Sequence, residues 1–258
     1  MTTILKIPFD KCIVEKERRG AEKAPDIIQK EFESLFASEE IKNAKWASVK
    51  VSDDFEKLHK KIEFQASKAY QKGEVVAGIG GDHSVSYSLV KAFFENHKNS
   101  GLIVFDAHLD CVHNFYPPTH EDWLRVLIEK KIVPKGKISH FGSRNNTKEE
   151  ISFASDNLSW DSIEVSLDAV KEHIKEFLES VDSVYLSVDI DVLDPKFAPG
   201  TGWPEPAGIL PQHLLSLLDK IRASKKIRGF DIVEVSPPRD INNITSRLAA
   251  KILLYLLK

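Results

Sequence analysis

Short apolar runs alternate with longer amphipathic stretches along most of this chain. Runs rich in Val, Ile, Leu and Phe predict β-strands at 74–79, 102–105, 137–141, 184–188 and 227–233. Apolar positions at helical spacing predict helices at about 55–72, 84–98, 121–131, 167–180, 211–224 and 244–257. This alternation is typical of a three-layer α/β/α fold, in which helices cover both faces of a mostly parallel sheet. No repeat or flexible linker interrupts the pattern, so we expect residues 1–258 to form a single domain.

Polar residues follow the predicted strands at their carboxyl ends. The groups concerned are Gly80-Gly81-Asp82-His83, Asp106-Ala107-His108, Ser143-Arg144, Asp189-Ile190-Asp191 and Glu234. The carboxyl ends of parallel strands share one edge of the sheet, and open α/β sheets bind their ligands there. Packing requirements alone would not gather acids and histidines at one edge. The sequence therefore predicts one functional site.

The residues at this edge have the composition of a metal site. Four carboxylates and two imidazoles are too many for one ordinary ion, and they suit two divalent ions bridged by shared carboxylates. Asp189 and Asp191 interrupt an apolar run, where an unpaired ionised carboxylate is costly and a cation offsets that cost. We expect a metal-activated water as the reagent and hydrolysis as the reaction. The expected ligands are His83, Asp106, His108, Asp110, Asp189 and Asp191.

Composition narrows the choice of partners. The formal net charge is −3, and the lysines are spread along the chain, so the sequence gives no support for nucleic-acid binding. The chain has 2 cysteines and no Cys-x-x-Cys pair, which excludes a disulfide framework and a cysteine zinc site. Neither a signal-peptide pattern nor an apolar stretch of membrane-spanning length is visible. We expect a cytoplasmic protein that acts on a small molecule.

The motifs at the strand ends resemble those of the ureohydrolases, the family of arginase, agmatinase, guanidinobutyrase and formimidoylglutamase. The resemblance runs from about residue 75 to the C-terminus and implies an arginase-like fold. It rests on Gly80-Gly81-Asp82-His83-Ser84, Asp106-Ala107-His108-Leu109-Asp110, the Ser-x-Asp-x-Asp-x-x-Asp-Pro run at 187–195, the segment 198–206 and the segment 231–238.

The resemblance implies two Mn²⁺ ions and hydrolysis of a guanidino compound to urea and an amine. His83, Asp106, Asp110 and Asp189 would hold one ion, and Asp106, His108, Asp189 and Asp191 the other. Asp106 and Asp189 would bridge the ions, and Asp110 would be hydrogen-bonded to the attacking hydroxide. Glu234 matches the glutamate that pairs with the substrate guanidinium, a role that suits a carboxylate because it makes two parallel hydrogen bonds. Trimers or hexamers are common in the resembled family, so we expect a homo-oligomer.

Two further residues are candidates for substrate contact. His120 follows His108 by the spacing of an agmatinase histidine, and it could protonate the departing amine or relay protons to bulk water. It lies in Thr-His-Glu-Asp, where the agmatinases have Ser-His-Gly-Thr. Trp203 replaces the usual Thr of the family segment, and its indole could narrow the pocket, stack on a cation or serve packing alone.

The tail of the substrate is left open by the sequence. The loop at 111–118 has the length found in agmatinases and is shorter than the arginase loop. Glu121 and Asp122 would favour an amine tail, whereas Arg144 and Arg239 would favour a carboxylate. We expect agmatine, which yields putrescine, with arginine, 4-guanidinobutyrate and formimidoylglutamate as alternatives. A non-catalytic metal-binding homologue and a dinuclear phosphoesterase are the rival classes; the complete ligand set argues against the first, and the lack of phosphate-clamping cations argues against the second.

Overall fold

Residues 1–35, 41, 43–162 and 166–258 are described in a computed structural model, with backbone alone at 161 and 162. The strands are β1 (Thr2–Lys6), β2 (Ala44–Ser48), β3 (Val75–Ile79), β4 (Ser100–Phe105), β5 (Ile138–Ser143), β6 (Ser159–Ser162), β7 (Ser183–Asp189) and β8 (Ile227–Val233). The helices are α1 (Ala24–Glu33), α2 (Phe55–Tyr70), α3 (Val85–Asn96), α4 (Trp123–Glu129), α5 (Lys148–Asn157), α6 (Leu167–Glu179), α7 (Pro211–Ala223) and α8 (Ile244–Leu257). Short 3₁₀ helices lie at Lys16–Arg18, Ala21–Lys23, Ile190–Val192 and Pro237–Arg239.

The strands form one sheet in the order β2-β1-β3-β8-β7-β4-β5-β6, and all of its pairings are parallel over the described residues. The predicted three-layer α/β/α architecture is therefore confirmed. Sequence patterning did not predict β1, β2, β6, α1 or α5. β2 and β6 lie at the two edges of the sheet, where short segments such as Ala-Lys-Trp-Ala-Ser lack a continuous apolar run.

Two apolar layers enclose the sheet. Helices α1, α6, α7 and α8 cover one face and contribute Ile28, Ile174, Leu218 and Leu253 to the first layer. Helices α2, α3, α4 and α5 cover the other face with residues such as Leu58 and Leu89. Every residue of β4 and of β7 is buried, as expected for central parallel strands covered on both sides. No helix in the described part of the chain has the length and apolar character that a membrane span requires.

The fold brings four strand ends together. β3, β8, β7 and β4 are consecutive in the sheet, and the loops that follow them carry most of the predicted site residues. The segment after β1 lies against the loop after β3, because the Asp82 amide donates to the Phe9 carbonyl over 2.8 Å. A Cβ at Gly81 would approach that carbonyl to 1.7 Å, so only glycine fits there. The N-terminal part of the chain, for which the sequence suggested no role, thus supports the site.

Candidate active site

His83 lies at the centre of a group of buried carboxylates. Its Nδ1 atom is 3.0 Å from Asp106 Oδ2, 3.1 Å from Asp110 Oδ2 and 3.2 Å from Asp189 Oδ2. Neither this Nδ1 atom nor Asp106 Oδ2 has a hydrogen-bond partner among the described residues. Burial lowers the pKa of His83, but contact with Asp106, Asp110 and Asp189 outweighs burial and raises it well above its usual value. Three carboxylate oxygens this close to one imidazole nitrogen are typical of a metal-binding site.

His108 forms a second group on the other side of Asp106. Its Nδ1 atom is 3.1 Å from Asp191 Oδ2 and 3.6 Å from Asp106 Oδ1. Asp106 therefore presents one oxygen to each histidine. The groups His83, Asp106, Asp110 and Asp106, His108, Asp191 each have ligand atoms close enough to hold one metal ion. We call the six residues His83, Asp106, His108, Asp110, Asp189 and Asp191 the ligand cluster.

Two carboxylates of the ligand cluster, Asp110 and Asp189, have raised pKa values. Burial, followed by the charge of Asp106, raises the pKa of Asp110 to about 7. Burial, followed by the charges of Asp191 and Asp106, raises the pKa of Asp189 well above its usual value. Gathering buried acids in this way is unfavourable unless positive charge neutralises them. The donor set, of carboxylate oxygens and imidazole nitrogens, fits two divalent ions such as Mn²⁺.

Each histidine of the cluster has an acidic residue near its outer ring nitrogen, through a serine hydroxyl for His83 and at longer range for His108. His83 Nε2 lies 2.9 Å from Ser187 Oγ, and that hydroxyl donates to Asp231 Oδ1 over 2.7 Å. His108 Nε2 lies 3.5 Å from Glu205 Oε1. A carboxylate on the outer ring nitrogen fixes the orientation of a ligating histidine and raises its basicity. Asp231 and Glu205 lie in motifs that the sequence singled out, but their contacts with the histidines depend on the folded chain.

Backbone amides hold three of the four acids. The His108 amide donates to Asp106 Oδ1 over 2.8 Å, and the Asp191 amide donates to Asp189 Oδ1 over 2.8 Å. The Ala107 amide donates to Asp191 Oδ1 over 3.1 Å. These bonds close small loops at the ends of β4 and β7, which explains why Asp-x-His and Asp-x-Asp spacings aim their side chains at a common point. The fourth acid, Asp110, is held differently.

Trp123 holds Asp110. The Trp123 indole Nε1 donates to Asp110 Oδ2 over 2.6 Å, and its ring centroid lies 4.5 Å from that of His83. Asp110 itself has a positive φ of 48°, a strained conformation for a residue with a side chain. The sequence did not identify Trp123, because it looks like the apolar start of an amphipathic helix. No spacing rule links it to Asp110.

A cavity of about 250 Å³ opens beside the cluster. Glu234 lines it, with a positive φ of 61° that turns its side chain inward from the end of β8. Glu234 Oε1 accepts the His83 amide over 2.8 Å, whereas the buried Oε2 atom has no partner among the described residues. The cavity is lined by His83, His108, Asp110, Val112, His120, Glu121, Asn145, Asn146, Thr147, Glu150, Asp189, Asp191, Trp203 and Glu234.

His120 and Trp203 are in contact at the cavity wall. Their ring centroids are 4.6 Å apart, and the Arg18 guanidinium lies 5.0 Å from the Trp203 ring. His120 Nδ1 is 3.9 Å from Glu234 Oε1, and its buried Nε2 atom has no hydrogen-bond partner in the described structure. Burial, with smaller effects of charge on His83 and His108, lowers the pKa of His120 to about 3. This imidazole is therefore neutral at neutral pH.

The two arginines that suggested a carboxylate tail are occupied elsewhere. Arg144 donates to backbone carbonyls, among them Asp191 O at 2.6 Å and Glu205 O at 2.8 Å. Arg239 donates to the Glu17 carbonyl. Neither residue is among those that line the cavity, and the lining contains no lysine or arginine. The reading of these arginines as tail contacts is not supported by their positions.

The two acids that follow His120 have different positions. Asp122 is fully buried and accepts the Phe115 amide over 2.7 Å and the Thr119 amide over 2.5 Å, so it fastens the loop. Glu121 lines the cavity, and its carboxylate has no ion-pair partner among the described residues. Burial, followed by the charge of Glu15, raises the pKa of Glu121. We call residues 111–122 together with Trp203 the rim.

Comparison with known proteins shows the family to which the chain belongs. The family model described as "Arginase family" matches residues 1–258. The chain belongs to the arginase family. Enzymes of this family are metal-dependent hydrolases of guanidino compounds and use a binuclear metal centre, typically of manganese. The family match thus includes the first 70 residues, to which the sequence motifs had not extended the resemblance.

Individual relatives agree with this placement. An agmatinase of Bacillus subtilis is 34% identical over 201 residues, which cover 76% of this chain and 67% of the relative. The structure of formimidoylglutamase from Bacillus subtilis superposes with a TM-score of 0.89 at 27% identity and covers 99% of this chain and 85% of the other. The structure of an arginase from Bacillus subtilis has a TM-score of 0.90 at 20% identity, covers 100% and 98%, and shows the fold alone. The aligned segments span between 60% and 69% of the first curated relatives.

Proposed function

We propose that this chain is a dimanganese hydrolase that cleaves agmatine to urea and putrescine. The observation that carries the proposal is the position of Glu234. Its unpartnered Oε2 atom is buried in the same cavity that the ligand cluster lines, and no lysine or arginine among the lining residues competes for it. A planar cation bound there would have its electrophilic carbon beside the metal site. The ligand roles of the cluster residues are part of this proposal.

The ligand cluster would hold the two ions, with Asp106 and Asp189 shared between them. His83 and Asp110 would complete one set, and His108 and Asp191 would complete the other. The distances that support this proposal bring Asp106 to both histidines and Asp189 to His83. When bound, the ions supply a water of lowered pKa and stabilise negative charge that develops in the transition state. Ser187, which donates to Asp231, would keep the His83 imidazole turned toward the site, and Glu205 would act on the His108 imidazole from 3.5 Å away.

Glu234 would bind and orient the guanidinium. One of its oxygens is fixed by the His83 amide, so the carboxylate cannot rotate away from the cavity. The other oxygen is free to accept a hydrogen bond from a guanidinium N–H. Burial, followed by the charge of Asp82, raises the pKa of Glu234 well above its usual value, and a bound cation would favour the ionised carboxylate. A charge-assisted hydrogen bond of this kind would position one edge of the guanidinium beside the ligand cluster.

His120 would handle the proton of the departing amine. Breaking the C–N bond leaves the amine nitrogen with a lone pair that requires a proton. His120 lies within the same cavity, next to Glu234, and its Nε2 atom has no partner in the described structure. Packing against the tilted ring of Trp203 holds the imidazole in place. With one ring nitrogen unpartnered, this imidazole would relay a proton to the leaving nitrogen.

The acidic wall favours a substrate with an amine tail. Glu150 is engaged by Thr147 and by the Cys111 amide, so Glu121 is the acid with a free carboxylate on the rim. Arginine, 4-guanidinobutyrate and formimidoylglutamate carry a carboxylate, for which the lining offers no cationic partner. Agmatine carries a primary amine instead. We further propose that residues 1–258 form one ureohydrolase domain and that the protein is a cytoplasmic homo-oligomer acting in polyamine synthesis.

The direct test is urea release by Mn²⁺-loaded protein with agmatine, arginine, 4-guanidinobutyrate and formimidoylglutamate, the last assayed by formamide release. We expect agmatine to give the highest kcat/KM and chelator-treated protein to give none. A higher kcat/KM for a carboxylate substrate would contradict the tail assignment. Mn²⁺-loaded protein that binds metal but hydrolyses none of these compounds would favour a non-catalytic metal-binding homologue.

A further inference from the structure

Trp123 contacts two of the proposed ligands of the first metal ion, Asp110 and His83. It is fully buried as the first residue of α4, donates its indole N–H to Asp110 Oδ2 over 2.6 Å and packs its ring 4.5 Å from the His83 ring. Among the described residues, the cluster acids other than Asp110 each receive a backbone N–H. Asp110 receives the indole N–H in place of such an amide. For Asp110, therefore, the tryptophan side chain supplies the hydrogen-bond donor that backbone amides supply for the other three acids.

The strained backbone of Asp110 makes this donor more consequential. Asp110 adopts a φ of 48° where the chain leaves β4, so its carboxylate points back toward His83 instead of following the strand. A side chain in that position needs an external contact to keep one rotamer. The indole N–H is suited to the task because it can donate but cannot accept, and because it carries no charge that would compete with a bound cation.

We propose that Trp123 is a positioning residue, whose N–H fixes the Asp110 carboxylate for metal binding and for contact with the reacting water. This inference rests on the proposed function and deepens it. Trp123 does not line the cavity, so it acts through Asp110 and not on the substrate. Removing the N–H should leave Asp110 mobile and weaken one metal position while the other, held by His108 and Asp191, is kept.

The test compares Mn²⁺ binding by calorimetry in wild type, Trp123→Phe and a matched control, Trp46→Phe, on the outer strand β2. We expect Trp123→Phe to bind one of two ions about 10- to 100-fold more weakly, the loss that outer partners of ligands typically cause. Its kcat should fall while KM stays unchanged, because the substrate contacts are intact. Trp46→Phe should match wild type in both measurements.

A second variant separates the N–H from the packing of the ring, in case the phenylalanine variant folds poorly. Replacing Trp123 by its benzothiophene analogue keeps both rings and exchanges the N–H for sulfur, and we expect the same selective loss of Mn²⁺ affinity. Wild-type affinity at both positions in the analogue would overturn the proposal. The affinity comparison needs no substrate, so a wild type that binds Mn²⁺ without hydrolysing guanidino compounds would refute the proposed function and leave this test intact.

Discussion

The ligand cluster and the rim are built in different ways. Cluster side chains extend from the ends of buried central strands, and backbone amides or buried outer groups hold them in place. The rim is a loop fastened by Asp122, and its Phe115 and Tyr116 side chains are each 55% exposed. On the proposed function, the cluster would hold its two ions at fixed positions, and the more exposed rim would contact the tail of the substrate. The difference indicates that reaction and substrate choice are set by separable parts of the molecule.

Asp106→Asn should produce the largest effect, because Asp106 serves both histidine groups. We expect kcat to fall by at least about 100-fold and Mn²⁺ to be lost from the protein. This loss exceeds the one that typically follows replacement of a residue that only hydrogen-bonds to a metal ligand. Metal analysis and urea release measure both. Asp194→Asn is the matched control, since Asp194 only fastens a turn by accepting the Lys196 and Gly208 amides. If Asp106→Asn retained two Mn²⁺ ions and full activity, the separation of the two regions would be wrong.

Glu234→Gln should rank next, because Glu234 lies at a strand end but is proposed to contact the substrate and not the metal ions. Exchanging the carboxylate for a neutral amide removes one charged hydrogen bond, a loss of about 10- to 100-fold in kcat/KM for guanidino substrates. Mn²⁺ affinity should change little, since Glu234 is not a ligand. Steady-state kinetics and calorimetry on the same preparation check the two statements. Wild-type kcat/KM in the variant would remove Glu234 from the substrate site.

Glu121→Gln should have a smaller and selective effect. A partly exposed carboxylate next to an amine contributes about 0.5–1 kcal/mol, which corresponds to about a 2- to 5-fold loss of kcat/KM with agmatine. The kcat/KM with 4-guanidinobutyrate should stay the same or rise, because repulsion of its carboxylate is relieved. Glu149→Gln, in the exposed first turn of α5, is the control. An equal loss with both substrates would mean that Glu121 has no part in tail selection.

His59 lies on α2 and belongs to neither the ligand cluster nor the rim. This imidazole is buried beside Ser88, has no acidic partner in the described part of the chain, and has its pKa lowered by burial to about 4. The unfolded chain binds a proton below about pH 6.5 that the folded chain accepts only near pH 4. Stability should therefore fall as the pH drops through this window, by at most about 3 kcal/mol from this residue.

The corresponding variant is His59→Gln, with unfolding followed in urea at pH 7 and pH 4.5. We expect a smaller acid-induced loss of stability than in wild type, and unchanged kcat and Mn²⁺ affinity at pH 7. A variant that lost as much stability as wild type between these pH values would show that His59 is not buried in its neutral form. An altered Mn²⁺ affinity would instead reveal coupling between the helix layer and the ligand cluster.

The sequence was most informative where chemistry follows from the ends of strands. Asp-x-His-x-Asp and Asp-x-Asp after apolar runs predicted that the acids would converge, because parallel strands share one carboxyl edge. Edge strands β2 and β6 were missed because their sequences, Ala-Lys-Trp-Ala-Ser and Ser-Trp-Asp-Ser, contain no continuous apolar run. The contact of Trp123 with Asp110 was not predictable, because it depends on how α4 packs. The orientation of the Arg144 and Arg239 side chains could not be predicted either. Each guanidinium could have entered the cavity, and each instead donates to backbone carbonyls.

The most direct test of the two-ion site is anomalous diffraction at the manganese absorption edge from crystals grown with Mn²⁺. We predict two peaks within the ligand cluster, one beside His83 and one beside His108, with Asp106 and Asp189 between them. A single peak, or no peak within the cluster at saturating Mn²⁺, would contradict the account.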